Sequence, residues 1–200
     1  MIALDLHIGS FFFVYIVVVA GAYLRRRKCR KKLEIGELIV IFYALLVFKV
    51  AICPIIFLSK ENQAVFGSQI SGLHTYVQWI PFQSFHDTML AETWIIQILG
   101  NVLLFFPIPI LKDFRSSKTE AFRKNLWFAF VLSVSIEMCQ LLFDVIGHYP
   151  AHIADIDDII CNVTGAAFGN LALWCLKKKR FYEKIKNIIK RGFLPDSNNI

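Results

Sequence analysis

Five stretches of this chain, 6–24, 37–58, 94–111, 126–146 and 159–176, are long and apolar enough to cross a bilayer, which takes about 20 apolar residues per helix. No water reaches the hydrocarbon core, so a spanning segment must pair its own backbone groups, and a helix does so within one segment. The expected fold is therefore an all-α membrane protein, a bundle of about five transmembrane helices placed as a multi-pass protein in the plasma membrane. Composition agrees. Of 200 residues, 56% are hydrophobic and 18% charged, against about 45–50% and about 25% in soluble domains. One soluble core of this length could not hide that much apolar surface, and a disordered chain, a coiled coil and a secreted disulfide scaffold are excluded. The five cysteines are scattered singly without a CxxC, and read as small apolar residues rather than disulfide or metal ligands.

The net charge of +7 does not point to nucleic acid, because the basic residues form short clusters between apolar runs. All but two of the 22 Lys and Arg fall in 25–36, 112–125 and 177–200, the exceptions being Lys49 and Lys60. That asymmetry orients the bundle by the positive-inside rule, with the N-terminus outside and the C-terminus cytoplasmic. The first span has no basic region before it and is followed by Arg25-Arg26-Arg27-Lys28, so it is not a cleavable signal peptide. Segment 59–93 is then a long outer loop. Its part 76–85, with Trp79, Pro81, Phe82 and Phe85, suits the outer interface. Residues 1–176 form a single transmembrane domain, and 177–200 a basic amphipathic tail. In that tail Phe181, Ile185, Ile188 and Ile189 share a helix face among lysines, the pattern of an interfacial helix on an anionic inner leaflet.

Polar groups within the spans carry the functional information, since an ionisable group at a helix centre costs about 2.5–3.5 kcal/mol on insertion scales. Ser133, Glu137, Gln140 and Asp144 follow i, i+4, i+7, i+11 and form one stripe that must face protein or water. Asp155, Asp158, Asn162, Gly165 and Gly169 share a face of the fifth helix. Gly165 and Gly169 form a GxxxG step for close helix approach. Asp155 suits an N-cap, which accounts for one acid but not for Asp157 and Asp158 as well. Gln97 and Asn101 lie on one face of the third helix, which Pro107 and Pro109 should kink. At about 1.5 Å per residue, Asn101, Glu137, Gln140 and Asn162 all fall in the outer half of the membrane. The expectation is a polar pocket open to the outside, rimmed by Asp155, Asp157, Asp158, His148 and His152. Lys49 and Glu137 come at similar depth on these boundaries, which predicts a buried ion pair between them.

Three sequence pieces taken in order, Asn101-Val102-Leu103-Leu104-Phe105-Phe106-Pro107, then Ser135-Ile136-Glu137 with Gln140, then Asp155-Ile156-Asp157-Asp158-Ile159-Ile160-Cys161-Asn162 with Gly165, resemble the VanZ-like family of bacterial membrane proteins over about 40–176. Ile80-Pro81-Phe82 resembles that family's loop before the third helix. This chain has His152 where the family usually carries Arg, and Pro109 where it tends to have Gly. The resemblance implies a role at the cell envelope, and the family's named member is associated with resistance to teicoplanin, a lipid-tailed glycopeptide.

Three functions are compatible with these residues. One is binding or modification of an outer-leaflet amphiphile, a lipoglycopeptide or a lipid-linked wall precursor, in a Gram-positive envelope, with Asn101, Glu137, Gln140, Asp155, Asp157, Asp158 and Asn162 as ligand-binding residues. A second is a membrane-embedded hydrolase or transferase, metal-assisted or not, with Glu137, Asp155 and Asp158 as candidate catalytic groups. Against it, there is no HExxH or GxSxG, and Pro150 separates His148 from His152. No resident metal or cofactor is expected. The third is an assembly role, with Lys49, Pro107, Gly165 and Gly169 structural and the polar stripe serving as glue between helices. Five helices without an internal repeat give little material for transport by alternating access, which a homo-oligomer would have to supply.

Overall fold

A computed structural model of the chain describes residues 1–66, 72, 75–83, 94–116 and 120–190. Phe85 and the end of the tail, 191–200, lie outside the described residues. Strand β1 (Ile2–Leu4) leads into α1 (Ile8–Lys28), α2 (Ile35–Ile52), β2 (Ile55–Phe57), α3 (Lys60–Phe66) and β3 (Val77–Gln78). Then come α4 (Trp94–Phe105), α5 (Ile108–Arg115), α6 (Phe122–Gly147), β4 (Ala154–Asp155), α7 (Ile156–Lys177) and α8 (Arg180–Ile189). Five spans are long and apolar enough to cross a membrane: α1, α2, α4 with α5 (Ile95–Arg115), α6 and α7. The protein is an all-helical, multi-pass membrane bundle.

The third span is two helices, because Pro107 cannot donate into the ladder. It stands at the N-cap of α5, and Pro109 is fully buried behind it. The second span ends at Ile52, six residues before the boundary expected from hydropathy. Cys53 is extended (φ −90°, ψ 147°), as the residue before Pro54 must be, and the chain continues as β2. There it pairs antiparallel with β1, Ile2 opposite Phe57.

Burial is inverted relative to a soluble protein. Ser133, Glu137 and Asn162 are buried, while Phe13, Ile96, Leu103, Trp127 and Trp174 are more than half exposed. Lipid solvates the apolar groups and the bundle interior takes the polar ones. Helix α7 sits at the centre, packed on α4, α5 and α6, while α2 packs on α5 and α6. Ile52, Phe105, Ile108, Ala129, Ile136 and Ala166 form the core between them. Helix α1 rests on α2 at the periphery through Phe11, whose ring meets Phe42 edge-on at 5.4 Å. Of the cysteines, Cys161 is buried, whereas Cys139 and Cys175 are exposed on the spans α6 and α7 and Cys29 is exposed at the basic end after α1.

The helices alternate direction, so the basic segments meet at one end. Arg26 donates to Glu37, Arg115 Nη2 lies 3.7 Å from the same carboxylate, and Lys112 pairs with Glu120 at 2.8 Å. The tail helix joins this end. Asp113, 4% exposed, accepts from Lys177 Nζ (2.5 Å), Tyr182 Oη (2.5 Å) and Lys186 Nζ (2.8 Å). Burial beside Asp113 pushes the Tyr182 phenol well above its ordinary range and keeps it a donor. Ile189 packs against Gly36 at the start of α2. The expected apolar face of the tail is therefore divided. Tyr182 and Ile189 face protein, and Phe181 and Ile188 remain more than half exposed. The docked side is set by Asp113, the buried acid among the basic residues after Pro107.

Candidate functional site

At the opposite end, residues from α4, α6 and α7 converge below a short strap. The chain enters α7 through an N-cap built by its sequence: the Asp155 carboxylate accepts from Asp157 N at 2.8 Å, satisfying one orphan donor of the first turn. Asp155 N in turn donates to Glu137 Oε2 on α6 at 3.0 Å. The strap, 76–83, is tied to the same turn. Val77 and Gln78 pair in parallel with Ala154 and Asp155, and Phe82 N donates to Asp157 Oδ1 at 2.7 Å.

The acids differ in exposure. Asp155 and Asp157 are buried, at 5% and 1%, and Asp158 is only partly buried. The Gln97 and Asn101 amides of α4 lie beside the Asp158 carboxylate. One turn deeper, Asn162 Nδ2 donates to Ser133 Oγ at 2.9 Å, and Asn162 Oδ1 is buried with no partner among the described residues. Neither Glu137 nor Asp158 has an ion pair among the described residues. Glu137 and Asp158 face an acceptor-rich interior in which Gln97, Asn101 and Ser133 supply donors. An added group carrying hydroxyl or ammonium donors is what such a set lacks.

The close approach of α4 to α7 sets this geometry. A Cβ on Gly165 would fall on the Val102 carbonyl oxygen, and one on Gly169 on that of Phe106. Only glycine lets the two backbones meet there, which brings Gln97 and Asn101 within reach of Asp158.

Several residues are placed elsewhere than the helical pattern suggests. Gln140 turns to α2, donating to Ala51 O at 2.7 Å. Asp144 accepts from His152 N at 2.9 Å and so holds the loop after α6. His148 is exposed, at the left-handed C-cap of α6 (φ 53°), a position compatible with helix termination. The Lys49–Glu137 pair is not formed. With α2 ending at Ile52, Lys49 stands in its last turn, about 5 Å from that end, while Glu137 is about 15 Å below the end of α6. Lys49 is partly exposed near Cys53 instead, and its charge suits a helix C-terminus. Asp155 and Asp157 are covered by the strap rather than rimming an open bowl, leaving Asp158 as the acid nearest the surface. Among the described residues no group of three or more His, Cys, Asp and Glu is arranged to hold a metal ion.

Replacing Asp157 by Ala should leave Phe82 N without its acceptor and loosen the strap. The expected cost is about 1–3 kcal/mol, read as a lower melting temperature in detergent with faster proteolysis within 76–83. Unchanged melting and cleavage would show that the strap is held by other contacts.

A family model described as VanZ/LLP1 matches residues 40–177, which include every residue of the cluster below the strap. No curated protein and no solved structure matches the chain.

Proposed function

From the premise that this chain belongs to the VanZ/LLP1 family, we propose that it acts at the cell envelope on an amphiphile, which it receives at the Asp158 end of the bundle. The observation that carries this reading is the pairing of a reachable acid with an exposed apolar strap. Asp158 stands beside two amides and has no counter-ion among the described residues. Beside it, the strap anchored on Asp157 exposes Trp79, Ile80 and Phe82 by 71, 55 and 61%. A ligand with an acyl chain against the strap and hydroxyl or amine groups at Asp158 matches both halves. A lipoglycopeptide such as teicoplanin has that chemistry, and so does the sugar–peptide part of a lipid-linked wall precursor. On positive-inside grounds this end faces outward and the basic end faces the cytoplasm.

Growth inhibition by teicoplanin and by vancomycin, with and without the protein in a sensitive Gram-positive host, tests the reading. Teicoplanin tolerance should rise and vancomycin tolerance should not, since only the former carries the lipid tail. Asp158→Asn keeps the size of the side chain and one acceptor oxygen but removes the charge. It should weaken ligand binding by about 10–100-fold, from about 1.5–3 kcal/mol for a charged hydrogen bond, at unchanged membrane level by blot. Equal shifts for both drugs, or no shift for either, would overturn the lipoglycopeptide reading. Asp158→Asn losing phenotype and protein level together would favour the assembly role.

A further inference from the structure

The basic end of the bundle holds a second site, independent of the cluster below the strap. A cavity of about 420 Å³ between α1, α2 and α5 is lined by Arg25, Arg26, Lys31 and Arg115, with Glu37 as its one acid. Glu37 is already shared: Arg26 Nε donates to its Oε1 at 3.1 Å and Arg115 Nη2 lies 3.7 Å from the same atom. One carboxylate therefore holds two guanidinium groups side by side, and the cavity keeps a strong excess of positive charge. Paired guanidinium forks suit a phosphodiester, which they bind in bidentate geometry.

Arg115 also lines a second cavity, about 350 Å³, between α2, α5 and α6. Its walls are Val40, Val47, Ile108, Leu111, Phe128 and Leu132, with Lys112 beside Arg115 at the basic end. From Val40 to Val47 this cleft runs about 10 Å along α2 toward the bilayer centre. A basic pocket at the membrane surface that continues into an apolar cleft between helices is complementary to one molecule, a phosphate bearing an acyl chain. A free anion would use only the first cavity, and an uncharged lipid only the second.

We infer that Arg25, Arg26, Lys31 and Arg115 bind the phosphodiester of an anionic phospholipid of the adjacent leaflet, one acyl chain of which lies in the Val40–Leu132 cleft. Bound there, the lipid fastens the peripheral α1 to α2 and α5, which otherwise meet at this end through Glu37 alone among the salt bridges of the described residues. Basic pockets between transmembrane helices on the positive side are a recurring lipid-recognition device.

The test uses the full-length protein in detergent micelles. Binding of phosphatidylglycerol, phosphatidylcholine and inorganic phosphate is read by native mass spectrometry. Phosphatidylglycerol should bind about 10-fold more tightly than phosphatidylcholine, and millimolar inorganic phosphate should not displace it. The double variant Arg25→Gln/Lys31→Gln, which leaves the Arg26–Glu37 contact intact, should reduce phosphatidylglycerol to the phosphatidylcholine level. Ala44→Phe, which fills the cleft from an exposed position, should weaken phosphatidylglycerol binding with the four basic residues untouched. Melting of each variant at the wild-type temperature without lipid confirms that the fold is intact. Equal affinity for the two lipids, or a preference unchanged in the double variant, would overturn the inference. Displacement by inorganic phosphate, or no effect of Ala44→Phe, would overturn the lipid in favour of a free anion.

Discussion

Gly165→Leu should prevent the protein from accumulating as a folded bundle, and Gly165→Ala should already lower its stability severely. A Cβ at this position would overlap the Val102 carbonyl oxygen. That atom belongs to the backbone of α4, so no rotamer change relieves the contact and the two helices must separate. Overpacking typically costs about 1–3 kcal/mol where side chains can give way. A backbone clash belongs in the exceptional range above about 4 kcal/mol. Lipid makes the consequence worse, because no hydrophobic force pushes transmembrane helices together once close packing is lost. Separation also withdraws Gln97 and Asn101 from Asp158. The control is Gly100→Ala on α4 itself, where a Cβ meets nothing within 4 Å; it should be neutral or stabilise by up to about 1 kcal/mol through helix propensity. Thermal melting in detergent and the membrane level of each variant decide the matter. Gly165→Ala melting at the wild-type temperature would mean that α4 and α7 are not in backbone contact.

Asp113→Ala should release α8 from the bundle. The carboxylate accepts from Lys177, Tyr182 and Lys186, so its removal leaves two ammonium groups and a buried phenol without their acceptor. Breaking a buried pair by deleting one partner costs about 3–5 kcal/mol. Both lysines lie at the end of the bundle with partly exposed side chains and can turn to water, which lowers the expectation to about 2–3 kcal/mol. The readout is local: proteolysis after lysines in 177–190 should accelerate, while the five spans keep their helicity. Lys186→Met alone should have a smaller effect, since Lys177 and Tyr182 still satisfy Asp113. Unchanged cleavage in Asp113→Ala would show that Tyr182 and Ile189 hold the helix by packing alone.

These cases mark where sequence reading stops. The stripe Ser133, Glu137, Gln140 and Asp144 is legible from spacing, and all four residues are buried, because the helical period and the cost of polar groups in lipid are properties of one segment. Their partners are not legible. Gln140 goes to α2, Glu137 to the backbone before α7 and Asp144 to the loop after α6, and these choices depend on how separate helices are rotated about their axes. Lys49 shows the same limit. Depth along a helix can be counted from a boundary, but Pro54 moves that boundary six residues, and equal depth says nothing of azimuth. Asp113 is one of two acids, with Glu120, in a basic segment beyond a proline kink, and its value depends on a tail helix folding back more than sixty residues later.

The amino-acid sequence by itself determined five membrane spans, the gathering of basic segments at one end, the kink at Pro107 and the inward polar faces. Each follows from local hydrophobicity, charge or helical period. Only the tertiary structure decided that Asp158 is the least buried of the three acids, that the strap closes over Asp155 and Asp157, that Glu37 draws two arginines together, and that Asp113 captures the tail. Those outcomes rest on contacts between segments far apart in the chain, whose relative rotation and crossing are set by packing that no single segment encodes.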